Sequence, residues 1–509
     1  WTDTRAATPA WIQTRSRRKR LGSDGRKRKA GEHMKRMLLG VLVCGLLQST
    51  FATVHTLHKT VDGVEYLVWY VCSYPHSHSS DGPNHIIDSV TVSVYDINGI
   101  KDLTVPASIT IPVDTGSSET QECPVSGFWM DMSAYSGLET LRFKGYFEAD
   151  DFKGNSSLRK IIFENGCNVL NGAFENCAVL SELSFCGPCQ VGVKAFYGCK
   201  ELKKILGLEN CTCIGPEAFA KTGMESVVIP AGVDFDFGVF SQCENLRKLV
   251  VQAGVGAVPD GVVFQCPRLT DVCLPSDLVK IGDSAFYECT SLSEIKLPNT
   301  LETIGSSAFY GDSLIQEILI PDAVSEIGAS AFSLSGVESL DLTNTGVREI
   351  KEWTFYGSEL FEIMLPQSVE VIGDYAFGCT PITNADFSAF QIVSIGEQAF
   401  ELCGDMDAEV VLPKSLKVLG DWAFHETGRK GRDRNERSSV KFLGPPPEMG
   451  EWVFNEWDMY HPHQSDYEYA TYEEEHACCC RCGAVRRRGC LCRRAVRGAV
   501  EGQGTGVRA

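Results

Sequence analysis

Histidine is scarce in this chain of 509 residues: there are ten, and only His425 falls inside the long patterned region described below. His55, His58, His76, His78 and His85 precede that region, and His461 and His463 follow it, at spacings that match no metal-ligand set. There is no Gly-x-Ser-x-Gly elbow, no phosphate loop and no His-Glu-x-x-His pair. These absences remove the common routes to nucleophilic, phosphoryl-transfer and zinc chemistry. They leave no residue to assign as catalytic, metal-binding or cofactor-binding, so the expectation is a non-enzymatic protein with no cofactor. Long apolar runs are also lacking. Apart from the stretch at Met37–Leu47, nothing approaches the ~18 apolar residues that a membrane-spanning helix requires.

Basic charge is thin through most of the length. The whole chain has 47 Lys+Arg against 66 Asp+Glu. Residues 1–36 hold 12 basic and 3 acidic residues, and 477–509 hold 8 basic and 1 acidic, which leaves 27 basic and 62 acidic for 37–476, a formal charge of −35. A body that acidic repels phosphate backbones, so nucleic acid is excluded as a partner and cationic protein surfaces are favoured.

Two features precede the body. Residues 1–33 carry Arg17-Arg18-Lys19-Arg20 and Arg26-Lys27-Arg28-Lys29. The reading adopted is that they lie outside the native protein; the functional reading is a nuclear-localisation or polyanion-binding arm. From Met34 the chain reads MKRMLLGVLVCGLLQSTFA, a charged start, an apolar core and a small-residue end. Residues 34–52 are therefore expected to be a secretory signal peptide, with the mature chain starting near Thr53.

Residues 53–127 do not repeat. Val64–Val71 and Ser89–Val94 read as strands, Ile109–Pro112 reads as a degenerate copy of the phrase that follows, and the segment is expected to form a β-rich N-terminal cap. Over 128–455 one phrase recurs about every 22–23 residues, at spacings from 21 to 24. Its aromatic column reads Phe152, Phe174, Phe196, Phe219, Phe240, Phe264, Phe286, Phe309, Phe332, Phe355, Phe377, Phe400 and Phe424, extended by Met132 and Phe454. A fixed period of that length means stacked coils, about fourteen of them. Phrases such as Leu292-Ser-Glu-Ile295-Lys-Leu297 alternate as short strands that end at Pro298, Pro321, Pro366 and Pro413. The glycine of each Ile-Gly step is read as permitting a turn, and the Ala-Phe step as a single helical or 3₁₀ turn.

The form I-G-x-x-A-F-x-x-C-x-x-L-x-x-I-x-L-P, matched throughout by 281–298, resembles the BspA-like class of leucine-rich repeats. The resemblance implies a curved leucine-rich-repeat solenoid with a parallel sheet on its concave side. It also implies a secreted or surface protein that adheres to host matrix proteins or neighbouring cells. The alternative is an intracellular scaffold whose basic leader is functional. Residues 456–509, with six cysteines and eight arginines at the end, read as a disordered linker and tail.

Cys177, Cys199, Cys243, Cys289 and Cys403 lie three residues after the column Phe, and Cys266 and Cys379 two after theirs; they read as an unpaired buried ladder, with inter-coil disulfides as the sharper alternative. Cys186-Gly-Pro-Cys189 spells a thioredoxin-type motif, but it falls where other coils read strand-Pro-turn. Asn155-Ser-Ser157 and Asn210-Cys-Thr212 fit the N-glycosylation pattern. The candidate binding surface is the outward side of the strands: Glu182, Lys204, Asp271, Glu294, Lys296, Glu317, Asp341, Glu362, Met364, Asp386 and Glu409. It is mostly acidic with apolar interruptions, and so suited to extracellular partners with basic patches.

Overall fold

The computed structural model describes residues 52–73, 90–94, 100–112, 120–129, 137–149, 152–404, 406, 409–427, 439–451, 453 and 470–471. The basic leader, Met34–Phe51, Met132, Phe454 and the Cys/Arg-rich tail lie outside them.

Most coils of the solenoid contribute two short strands, one to each of two separate parallel stacks. The first stack holds the alternating phrase: Thr140–Phe143, Lys160–Phe163, Glu182–Phe185 and Lys204–Leu206, then Ser226–Ile229, Lys248–Val251 and Asp271–Cys273, and later Ser339–Asp341 with Glu362–Met364. Pairing is residue on residue, as in Glu182 with Lys204 and Ser339 with Glu362. The second stack is built from the Ile-Gly step and its equivalents, from Cys167–Val169 to Lys280–Ile281, Thr303–Ile304 and Val418–Leu419.

The glycine of that step is needed for closeness more than for a turn, because none of these glycines has positive φ. A Cβ on Gly282 would stand 2.5 Å from the Val258 carbonyl oxygen, and one on Gly305 would stand 2.6 Å from the Gly282 carbonyl carbon. Aspartates at the next position along the coil complete the stack. Asp260 Oδ1 accepts the Asp283 N–H at 2.8 Å, Asp283 accepts that of Ser306 at 2.8 Å, and Asp374 that of Glu397 at 2.7 Å.

The Ala-Phe step forms a third ladder. Its turns contain i→i+3 bonds, such as Cys199 N–H to Phe196 O at 3.3 Å, but left-handed residues placed four apart break any helix. Lys194 and Gly198 (φ 54° and 73°) do so in one coil, and Glu217 and Lys221 (53° and 56°) in the next. The Phe196 N–H then bonds the Ala218 carbonyl at 2.8 Å and Gly198 that of Ala220 at 2.9 Å. The one 3₁₀ helix among the described residues is Leu208–Asn210, elsewhere in its coil.

Inside, the phenylalanines stack nearly parallel at 4.8 to 5.6 Å from Phe152 to Phe240, and at 5.0 to 5.8 Å from Phe286 to Phe424. Between these two runs the ring column is interrupted. Val263 N–H bonds the Ala285 carbonyl and is fully buried, so valine occupies the core position in place of Phe264. Phe264 is shifted one residue outward, where it stacks on Tyr287 at 4.6 Å, which stacks on Tyr310 at 4.5 Å. Counted through Val263, thirteen core positions span twelve full turns between Phe152 and Phe424.

At the N-terminal end the strands β1 (Ala52–Val61), β2 (Val64–Ser73) and β3 (Val90–Val94) pair antiparallel in succession. β4 (Asp102–Val105) pairs parallel with Thr140–Phe143 and opens the first stack. β5 (Ser108–Pro112) pairs antiparallel with β6 (Thr120–Trp129). The repeat-like phrase is therefore Leu103–Pro106, and Ile109–Pro112 is a hairpin arm.

Candidate binding face

The outward parity expected of the first stack holds along most of its strands, but not along Lys160–Phe163 and Glu182–Phe185, where Ile162 and Ser184 are buried as well. Burial alternates exposed–buried–exposed along Glu362-Ile363-Met364 and exposed–buried–exposed–buried along Ser226–Ile229. In those two strands the buried residue turns to the core and its neighbours turn to solvent.

Register sorts the candidates into two rows. Glu182, Lys204, Asp271, Glu294, Glu317, Glu362 and Glu409 occupy the first outward position; Lys296, Asp341, Met364 and Asp386 occupy the second, two residues on. Leu292–Leu297, expected as a strand, forms no strand, yet Leu292 and Ile295 are buried while Glu294 and Lys296 are exposed.

Several of the acids are already engaged. Lys160 pairs with Glu182 at 2.8 Å, and its hydrogen bond holds that carboxyl below the usual range. Lys296 approaches Glu294 at 3.4 Å. Thr270 donates its hydroxyl to Asp271 at 2.8 Å. Asp341 accepts the Thr343 N–H at 2.8 Å, and Asp386 that of Ser388 at 2.9 Å; bonds from the same two residues lower both carboxyls. These two aspartates shape the turn after the strand. Glu317 and Glu362 point out with no such bond among the described residues, about 10 Å apart at two strand spacings. The Glu409 side chain lies outside the description.

Around those two glutamates the surface is apolar. Leu319 is 88% exposed, Met364 47% and Phe361 42%. At this end of the face, carboxylates and apolar side chains therefore lie side by side.

The other end has the opposite sign, a feature that sequence reasoning missed. Arg159-Lys160, Lys203-Lys204 and Arg247-Lys248 recur on every second coil, 44 residues apart. Beside them the second row runs Leu206, Val228, Val250 and Cys273, of which all but half-buried Val250 are exposed. Lining up alternate coils would have revealed the basic pairs.

The remaining motifs resolve structurally. Cys177, Cys199, Cys243, Cys266, Cys289 and Cys403 donate their thiols to carbonyls of the preceding coil at 3.1 to 3.5 Å, with Cys266 in register three residues after Val263. Cys379 stands off this ladder at a left-handed position, and Thr380 fills its place. Cys186 and Cys189 join Glu182–Phe185 to Cys189–Val191, with no helix starting at Cys186. Asn155 is buried, its Oδ1 accepting the N–H of Ser157 and of Leu158, and Asn210 donates to the Phe185 carbonyl at 2.7 Å; both asparagines are occupied by the fold. No group of three metal-ligating side chains occurs among the described residues, and no helix among them is long and apolar enough to cross a membrane.

Among solved structures, the chain is similar to a leucine-rich repeat protein from Bacteroides ovatus (22% identity, 73% of this chain and 92% of that one, TM-score 0.47). It is also similar to the leucine rich repeat protein of T. pallidum (27%, 30% and 76%, 0.28) and to a leucine-rich repeat protein from Eubacterium ventriosum (15%, 74% and 97%, 0.39). No curated protein sequence matches. The family model for the BspA type leucine rich repeat region matches in overlapping segments, 144–247, 233–336 and 304–430. Those segments together span more than half of the chain and coincide with the coils built on the phenylalanine column. The chain belongs to the BspA type leucine rich repeat family.

Proposed function

We propose that this chain is an exported, non-enzymatic protein, and that it binds other proteins outside the cell or at its surface through the outward face of the first stack. The partners are matrix or cell-surface proteins with basic, partly apolar patches, and β1–β3 cap the N-terminal end of the stack. The observation that carries the reading is the patch at Glu317, Leu319, Phe361, Glu362 and Met364. Side chains that large and that exposed on a sheet face are costly to solvation and mark contact surfaces. The two uncommitted glutamates add attraction to cationic partners, and extended sheet faces are how solenoids bind proteins.

The test is capture of the purified chain by immobilised matrix proteins and by intact cells, at low and high salt. Glu317→Lys with Glu362→Lys should weaken capture at least tenfold, and Leu319→Ser should weaken it independently of salt. Capture that is unchanged by all three substitutions would overturn the assignment of this face. Export is tested separately by the N-terminal sequence of the protein recovered from its own cells. A start near Thr53 in the medium or on the surface is expected, and retention of Met34 inside the cell would overturn it.

A further inference from the structure

A second set of cysteines, distinct from the ladder that follows the phenylalanine column, lies in the second stack. Cys167, Cys189 and Cys211 open three consecutive strands and are direct register partners, Cys167 with Cys189 and Cys189 with Cys211. All three are buried. The Cys167 thiol donates to Cys189 Sγ at 2.8 Å, while the Cys189 thiol donates to the Gly187 carbonyl at 3.1 Å. Adjacent strands stand ~4.8 Å apart, inside the Cα separation that a disulfide spans.

A shared metal ion does not fit. The outer two cysteines are two strand spacings apart, ~10 Å, whereas sulfurs on one zinc lie within ~4.6 Å of each other. Between Cys189 and Cys211 the ladder slips by one residue, so that Gln190 faces Cys213. Of the two pairs, it is Cys167–Cys189 whose thiols hydrogen-bond to each other.

We propose that Cys167 and Cys189 are a latent inter-coil crosslink, a dithiol that closes to a disulfide in an oxidising compartment and clamps the two coils together. With oxidised glutathione as the oxidant, one cysteine sulfur attacks the glutathione disulfide and releases one glutathione thiol. The second cysteine then displaces the other glutathione. One sulfur–sulfur bond forms in the protein, and the two cysteine protons and two electrons appear as two molecules of reduced glutathione. Burial pushes the Cys167 thiol far up, with the Cys189 contact adding to it, so the folded pair resists chance alkylation and closes slowly unless the coils open. Cys186, exposed three residues before Cys189, is the competing partner that letters alone would suggest.

The experiment refolds the full chain from urea in a glutathione redox buffer, alkylates remaining thiols and digests after Lys, Arg and Glu. Residues 165–175 then carry Cys167 alone and 183–194 carry Cys186 and Cys189; a Cys186→Ser background makes the second fragment unambiguous. The expected product is 165–175 joined to 183–194, retained in Cys186→Ser and lost in Cys167→Ala. The melting temperature should rise by about 5 °C on oxidation, and the rise should vanish in Cys167→Ala. Fully alkylated Cys167 and Cys189, a Cys186–Cys189 link, or a Cys189–Cys211 link would each overturn the proposal.

Discussion

Asp312 sits where six other coils place a cysteine, and it is the least comfortable residue in the core. It is fully buried between Cys289 and Ser335; Oδ1 accepts the Cys289 N–H at 2.7 Å, and Oδ2 has no partner. The Cys289 N–H is bonded to the Phe286 carbonyl as well, so it does not depend on the carboxylate. Threonine solves the same position elsewhere: Thr222 and Thr380 donate to their own coil's phenylalanine carbonyl at 2.9 and 2.6 Å. Asp312→Thr should therefore place a hydroxyl on the Phe309 carbonyl and remove one orphaned acceptor, worth about 1–3 kcal/mol. With ~2.1 cal/mol/K of unfolding entropy per residue over ~300 repeat residues, that is a rise in Tm of about 2–5 °C. The pH dependence has a definite sign. Desolvation raises the Asp312 carboxyl well above its unfolded value, so the folded state holds the proton more tightly. Wild-type stability should thus fall as pH rises from the unfolded pKa towards the folded one, at up to ~1.4 kcal/mol per pH unit, and level off above it. Calorimetry of both proteins from pH 4 to 8 gives the difference. Its growth with pH supports the account; a difference that is flat in pH, or an Asp312→Thr protein less stable at pH 7, refutes it.

Gly305→Ala should cost at least 1–3 kcal/mol, because the added Cβ meets backbone of the preceding coil and that backbone has nowhere to retreat; urea unfolding reads it. Asp283→Ala should lose about 1 kcal/mol through the freed Ser306 N–H, whereas Asp283→Asn keeps an acceptor and should lose much less by the same assay. Phe264→Ala should cost less than half of what Phe286→Ala costs, the latter removing a fully buried ring for about 3–5 kcal/mol; equal losses would restore Phe264 to the core column.

The period, the outward parity and most of the ring column were legible because each rests on residue type at fixed spacing. The column failed at Val263-Phe264, where both residues are apolar and the small residue before the ring is missing; the spacings of 24 then 22 on either side were the trace of the slip. The second stack was hidden because a two-residue strand cannot show alternation. Its glycines were assigned to turns, when close approach of the preceding coil is what excludes a side chain. For the same reason nothing in the sequence sets apart Asp260, Asp283 and Asp374, each of which holds the following coil. On the binding face the identity of the outward residues was readable, but not which charges are spent. Lys160 reaches Glu182 from 22 residues away, a distance at which a linear reading sees no pair.

Three ladders and the cysteine positions fix each coil to the next, yet the arc between the ring column and the first stack can still lengthen. The last full coil demonstrates what an arc can absorb. From Phe174 to the first-stack strand at Glu182 is 8 residues; from Phe424 to Ser439 it is 15. Yet Ser439 still pairs with Glu409, and the Phe424 N–H still bonds the Val453 carbonyl at 2.9 Å. Seven extra residues enter without moving a neighbour. The architecture thus separates two rates of change: ladder positions are locked to their counterparts in adjacent coils, while the arc before the first stack can lengthen. A foreign peptide inserted between Met406 and Glu409 would be carried as a side loop, making the stack a ruler on which sequences can be displayed at increments of one strand spacing.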